Sequence, residues 1–221
     1  MEALKSFYLF QAGEGRITDN PTQALRSPRL PSRLPKYLTR EEMDRLFSVP
    51  VEDSFESARA RTMLEVLYAT GMRVSELLSL KPDAVNVEDG WVRVFGKGSK
   101  ERLIPIHDRA VSVFKQYLAL RRDKFQERCA PELFLNRAGR VLSRAQYWRD
   151  LRDLGVRAGL SQPLHPHLLR HTFATHLLQG GADLRSVQEM LGHSSLATTQ
   201  IYTHLEKSAL KGAHRKFHPR G

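Results

Sequence analysis

A single cysteine, Cys129, stands in a sequence of 221 residues. That excludes an internal disulfide framework and a cysteine-based zinc site. Long apolar runs are missing too: none approaches the roughly 18 residues needed to span a bilayer. The first residues carry no apolar stretch followed by a small-residue cleavage site. Internal repeats and low-complexity tracts are absent. Acid is in short supply, with 24 Asp and Glu against 35 Lys and Arg, a formal net charge of +11. A pI near 10.1 points toward a polyanionic partner, and the excess of arginine suits bidentate pairing with phosphate. The remaining composition, 41% hydrophobic and 27% charged, suits one full-sized globular core. We expect a reduced, cytoplasmic protein that does not associate with membranes.

The common cofactor motifs are also missing. There is no Walker sequence; Gly96-Lys97-Gly98 lacks its spacing and its following helix. There is no G-x-G-x-x-G and no H-E-x-x-H. His167 and His171 have the spacing of a metal pair, but Arg170 lies between them and no carboxylate stands nearby. We expect no metal and no cofactor.

What is present reads as mostly helical. Residues 1–12 look like the end of an apolar helix, stopped by Gly13 and Gly15, whose earlier part is absent. Residues 26–36 are basic and carry Pro28, Pro31 and Pro35, which favours an extended linker. Thr39 and Glu42 form a capping-box signature before Leu46 and Phe47. A helix over 57–69 ends at Gly71, and a short one begins near Val74. Residues 91–95 and 101–106 are β-type runs around a Gly96–Ser99 turn, a hairpin signal. Helices are predicted over about 108–122, 143–158, 167–179, 183–191 and 195–205. A basic tail follows from about 205. The expected fold class is therefore mainly α with a small antiparallel β-sheet.

Four segments could carry chemistry. In the stretch from His165 to Leu178, Pro166 opens a helix, Leu169, Phe173 and Leu177 form its buried stripe, and His167 and Arg170 share a face. A histidine and a fixed guanidinium fork on one face are suited to gripping a phosphate. Arg73 stands at the Gly71 turn between two helices, with Glu76 three residues on to orient its guanidinium or a neighbouring histidine. Lys97 sits between glycines that let its turn approach a ligand closely. His193 precedes a serine-capped helix, and Tyr202 follows nine residues later; a tyrosine hydroxyl is a nucleophile when ionised. Taken singly, each has a plain reading as a surface or packing residue.

Together, ATGMRVSEL, GKGSKER, HPHLLRHTFATHLL and LGHSSLATTQIYTH resemble the tyrosine recombinases, or phage integrase family, and within it the bacterial Xer-like branch. The resemblance covers about residues 36 to 221 in order and spacing. It implies the family's DNA breaking-rejoining fold over 37–221, with residues 1–25 the remnant of an N-terminal core-binding domain and 26–36 its linker. It implies that Arg73, Lys97, His167, Arg170 and His193 act on a scissile phosphate, that Glu76 supports Arg73, and that Tyr202 is the nucleophile. Lys97 would be the general acid, and His167 a base or a donor. Arg29, Arg33, Lys36, Lys100 and Arg102 are expected on the DNA backbone.

The implied function is site-specific recombination through a 3′-phosphotyrosine, in chromosome or plasmid dimer resolution or in integration and excision. The implied partners are a double-stranded recombination site, further copies of the chain in a tetrameric synapse, a paralogous recombinase and a DNA translocase. The segment from about 205 would pack on a neighbouring protomer, lie on DNA or fold back on its own domain. Two other readings remain open: DNA relaxation like that of a type IB topoisomerase, and a non-catalytic helical DNA-binding module.

Overall fold

The computed structural model describes residues 2–23, 25, 37–50, 54–96, 101–126, 128–192 and 204–220. The chain divides into two compact units, Met1–Pro35 and Lys36–Gly221. In the first, α1 spans Glu2–Gly13, and Gly15 follows at φ 66°.

The second unit begins with α2, Arg40–Ser48. Thr39 caps it: its hydroxyl accepts from the Glu42 amide at 3.2 Å, and the Glu42 carboxylate accepts from the Thr39 amide at 2.9 Å. This reciprocal box turns Met43, Leu46 and Phe47 into the core. α3, Phe55–Thr70, is the central helix of the unit. It is buried nearly all round from Thr62 to Thr70, so it packs against several neighbours rather than one. Gly71 ends it in the left-handed region at φ 58°, with its amide returned to the Leu67 carbonyl at 2.8 Å. A side chain there would strike the Phe173 ring and approach Leu191 Cδ2 to 2.9 Å. Only glycine meets both demands.

The five-residue α4, Val74–Leu78, follows at once. After one 3-10 turn come β1 (Val85–Asn86), β2 (Trp91–Phe95) and β3 (Glu101–Pro105), an antiparallel sheet in chain order. The predicted hairpin is present, and β1 adds a short third strand that the sequence reading did not foresee. Val92 pairs with Ile104 and Val94 with Arg102, so these four side chains share the core-facing side.

α5 (Asp108–Phe125), α6 (Arg144–Arg157), α7 (Pro166–Gly180), α8 (Leu184–Leu191) and α9 (His204–Phe217) complete the unit. Each of α5 to α8 has a side-chain cap, from His107, Ser143, His165 and Asp183 in turn. α7 lies on α3, and its stripe of Leu169, Phe173 and Leu177 is fully buried. One expectation falls largely outside the described residues, and one needs correcting. Of the helix predicted over 195–205, residues 195–203 lie outside the described residues. From His204 onward the chain is not a tail but helix α9, and its Leu210 and His214 are buried within this unit. No helix among the described residues is long and apolar enough to cross a membrane.

Candidate active site

The site is built where three elements end together. Arg73 is the N-cap of α4, and its side chain remains 43% exposed. Its amide donates to Glu76 Oε2 at 2.7 Å, and its Nη1 donates to Glu76 Oε1 at 3.1 Å. Of the two partners the spacing allowed, the Arg73 guanidinium is the one Glu76 bonds here. Arg170 reaches across from α7. Its Nη1 donates to the Gly71 carbonyl at 2.6 Å and its Nη2 to the Leu191 carbonyl at 2.8 Å. One guanidinium therefore ties together the ends of α3 and α8. His167 lies three residues earlier, exposed, in the first turn of α7.

Arg102 requires a correction. The sequence reading placed it on the DNA backbone. In the structure its side chain is 7% exposed, and its Nη1 and Nη2 hold Glu76 in a fork at 3.0 and 2.8 Å. Its Nε donates to the Met190 carbonyl at 3.0 Å. The reason is register: pairing with Val94 turns Arg102 to the core face of β3, where the buried carboxylate waits. Three of its five N–H donors are committed to Glu76 and Met190, and burial keeps the guanidinium away from a phosphate.

Burial alone would raise the Glu76 carboxyl. The Arg102 hydrogen bonds and charge, helped by the Arg73 amide and charge, outweigh it and hold the group below its ordinary value. Glu76 is thus a fixed anion. Arg170 is pushed down to about 10 by burial and by the charges of Arg73 and Arg102, with Glu76 opposing. Among the described residues, three guanidinium groups stand around one carboxylate. Such a site carries a positive excess that a phosphate would relieve.

Lys97, His193 and Tyr202 lie outside the described residues, as do Arg29, Arg33, Lys36 and Lys100. Among the described residues no three His, Cys, Asp or Glu side chains gather in a way that could hold a metal ion. Sequence reasoning missed the pairing of Arg102 with Glu76, although strand alternation from Val92 through the hairpin carried the signal.

Residues 36–209 match the profile of the phage integrase family. The chain belongs to that family, the tyrosine recombinases. Over its full length it is similar to the tyrosine recombinase XerD of Chlorobaculum tepidum, 49% identical across 225 residues and spanning 74% of that relative. It is similar to the tyrosine recombinase XerD of Staphylococcus aureus at 45% identity over 221 residues, 75% of that relative. Among solved structures, XerA recombinase matches with a TM-score of 0.67 at 34% identity, covering 99% of this chain and 75% of that one. The XerH site-specific recombinase bound to difH substrate in a pre-cleavage complex gives 0.66 at 34% identity, covering 80% of this chain and 53% of that one. Site-specific recombination, rather than topoisomerase-like relaxation or non-catalytic binding, is the activity these matches support.

Proposed function

We propose that the chain cleaves and rejoins double-stranded DNA at a specific site, with Tyr202 as nucleophile and Arg73 and Arg170 as the clamp on the scissile phosphate. The convergence of Arg73 and Arg170 on the Gly71 turn, with Glu76 the one carboxylate that the described residues bring against them and Arg102, is the observation that carries this reading.

In the forward step the Tyr202 oxygen bonds to phosphorus and the bond from phosphorus to the 5′ oxygen breaks. The tyrosine proton passes to a base, and Lys97 supplies a proton to the departing 5′ oxygen. A tyrosine with an ordinary value near 10 is about one part in a thousand ionised at pH 7, so full ionisation is worth roughly 4 kcal/mol. Nearby cations lower that cost. They also stabilise the negative charge that builds on the non-bridging oxygens, where Arg73, Arg170 and His193 act as donors. His167, exposed three residues before Arg170, is read as taking the tyrosine proton or donating to a phosphate oxygen. The phosphotyrosyl bond keeps the energy of the broken phosphodiester, so rejoining requires no nucleotide and no cofactor.

The relatives supply the setting. XerH was solved on its difH substrate, and lambda integrase was solved as a tetramer on a Holliday junction. We read the partners of this chain as a DNA recombination site and further copies of itself, with a paralogous recombinase and a DNA translocase as additional partners in the cytoplasm. Chromosome or plasmid dimer resolution is the process that this set serves. Residues 26–36, with Arg29, Arg33 and Lys36, are read as a linker along the phosphate backbone, and Lys100 as a further phosphate contact.

A nicked suicide site tests the proposal. The protein should become covalently joined to the DNA 3′ end, and Tyr202→Phe should abolish the adduct while binding persists. An adduct that survives Tyr202→Phe would remove Tyr202 from its role.

A further inference from the structure

The end of α3 that leads into Arg73 is held by α9. His214 and His218 are 1% and 4% exposed, the first in α9 and the second just past its end. His214 Nε2 lies 2.7 Å from the Ala69 carbonyl, and His218 Nε2 lies 3.0 Å from the Tyr68 carbonyl. A carbonyl only accepts, so each Nε2 carries the proton and donates. For His218 a second bond agrees, because its Nδ1 accepts from the Arg220 amide at 3.2 Å. The two acceptors are carbonyls that a helix ending at Thr70 leaves without intrahelical partners. Two imidazoles therefore close the last turn of α3, and Arg170 takes the Gly71 carbonyl beyond it.

The surroundings hold these rings in place. His214 and His218 stack at 4.8 Å between centroids, and His107 stacks on His218 at 5.1 Å. A side chain at Gly180 of α7 would strike the Phe217 carbonyl oxygen, so the end of α9 is seated directly on the helix that carries Arg170. Burial pushes His214 down to about 4, which keeps it neutral with its single ring proton on Nε2. In the sequence, His214 and His218 also lie downstream of Tyr202.

We propose that His214 and His218 are positioning residues for strand cleavage: by capping α3 they fix the Gly71 turn and with it the Arg73 guanidinium. The inference rests on the reading of Arg73 as a phosphate clamp. It also means that docking of the helix downstream of the nucleophile and correct placement of the first arginine are one event.

The test is the rate of covalent adduct formation on a suicide site. His214→Phe keeps the stacked ring and loses the donor. It should slow the adduct about tenfold or more, with DNA affinity nearly unchanged. His214→Gln, whose amide donates from nearly the same place, should restore the rate. A second substrate carries a neutral methylphosphonate at the scissile position, where less charge remains for Arg73 to neutralise. On it the His214→Phe deficit should narrow. Equal slowing on both substrates overturns the positioning role, as does a wild-type rate for His214→Phe on phosphate. If His214→Phe does not fold, His214→Met, which also lacks the donor, reads the same contrast; failure of both to fold makes the role one of stability and overturns the inference too. If the unchanged protein forms no adduct, the recombinase reading itself falls, whereas a normal adduct with no slowing removes the inference alone.

Discussion

At the start of α3, Arg59 is buried with its Nη2 on Asp150 at 3.0 Å and its Nη1 on the Leu135 carbonyl at 2.8 Å. At the other end of the same helix, Arg73 and Arg102 both bond Glu76, and Arg170 stands close enough to feel its charge. Both ends are rich in guanidinium groups and both contain a buried ion pair. A cavity of about 670 Å³ opens at the first end, but its wall alternates sign: Glu56, Asp150 and Asp153 stand among Arg59, Arg61, Arg137 and Arg157. Charge there is nearly balanced, three carboxylates against four guanidinium groups, and the pairs hold elements together. At the second end the balance is deliberately incomplete, and Arg73 faces solvent. The comparison teaches that arginine content does not mark an anion site. The ratio of guanidinium groups to acceptors does, together with one fork left partly free.

The largest effects should come from breaking the buried fork. Arg102→Ala leaves the Glu76 carboxylate short of its main partner and should cost about 3 kcal/mol of unfolding free energy in urea titration. The salt dependence of DNA binding should not change, because the Arg102 guanidinium is buried against Glu76; a shallower slope would return it to the DNA. Arg73→Ala and Arg170→Ala should lower the adduct rate about 10²–10³-fold and DNA affinity far less. Equal losses in rate and affinity would make them simple DNA contacts.

At the balanced end, Arg59→Met should cost roughly 1–3 kcal/mol of stability through the stranded Asp150 and leave the adduct rate per folded molecule unchanged. A change in that rate would show that the two ends communicate. Acid should weaken the α9 dock. Burial, with added repulsion from His214, pushes His107 down to about 3, and burial pushes His214 to about 4, against an ordinary 6.5. The unfolded chain therefore takes up protons first, so stability is complete above about 6.5 and is lost as the pH falls toward 4. His214→Gln should flatten that fall, measured as the urea midpoint against pH. The smallest effect belongs to Arg137→Ala, whose side chain is 82% exposed beside Glu56; it should change stability by under about 0.5 kcal/mol.

The elements were legible because their signals are local. The Thr39–Glu42 box, the Gly71 stop, the alternation of Val92 and Val94 and the His165–Pro166 start all act within a few residues. The His167 and Arg170 pair was legible for the same reason, three residues being one helical face. Arg102 was misread because a basic residue near a hairpin looks solvated, and only pairing with Val94 shows which way it faces. His214 and His218 were passed over because their partners lie 145 and 150 positions away in the chain.

Sequence alone thus determined most of the helices before residue 192, the hairpin and the family resemblance, since spacing along a chain sets which side chains share a face. Tertiary structure alone decided which arginine is spent on Glu76 and which stays open, and that α9 closes the end of α3. Those outcomes depend on which distant carbonyl or carboxylate a buried donor meets, and burial makes meeting one obligatory.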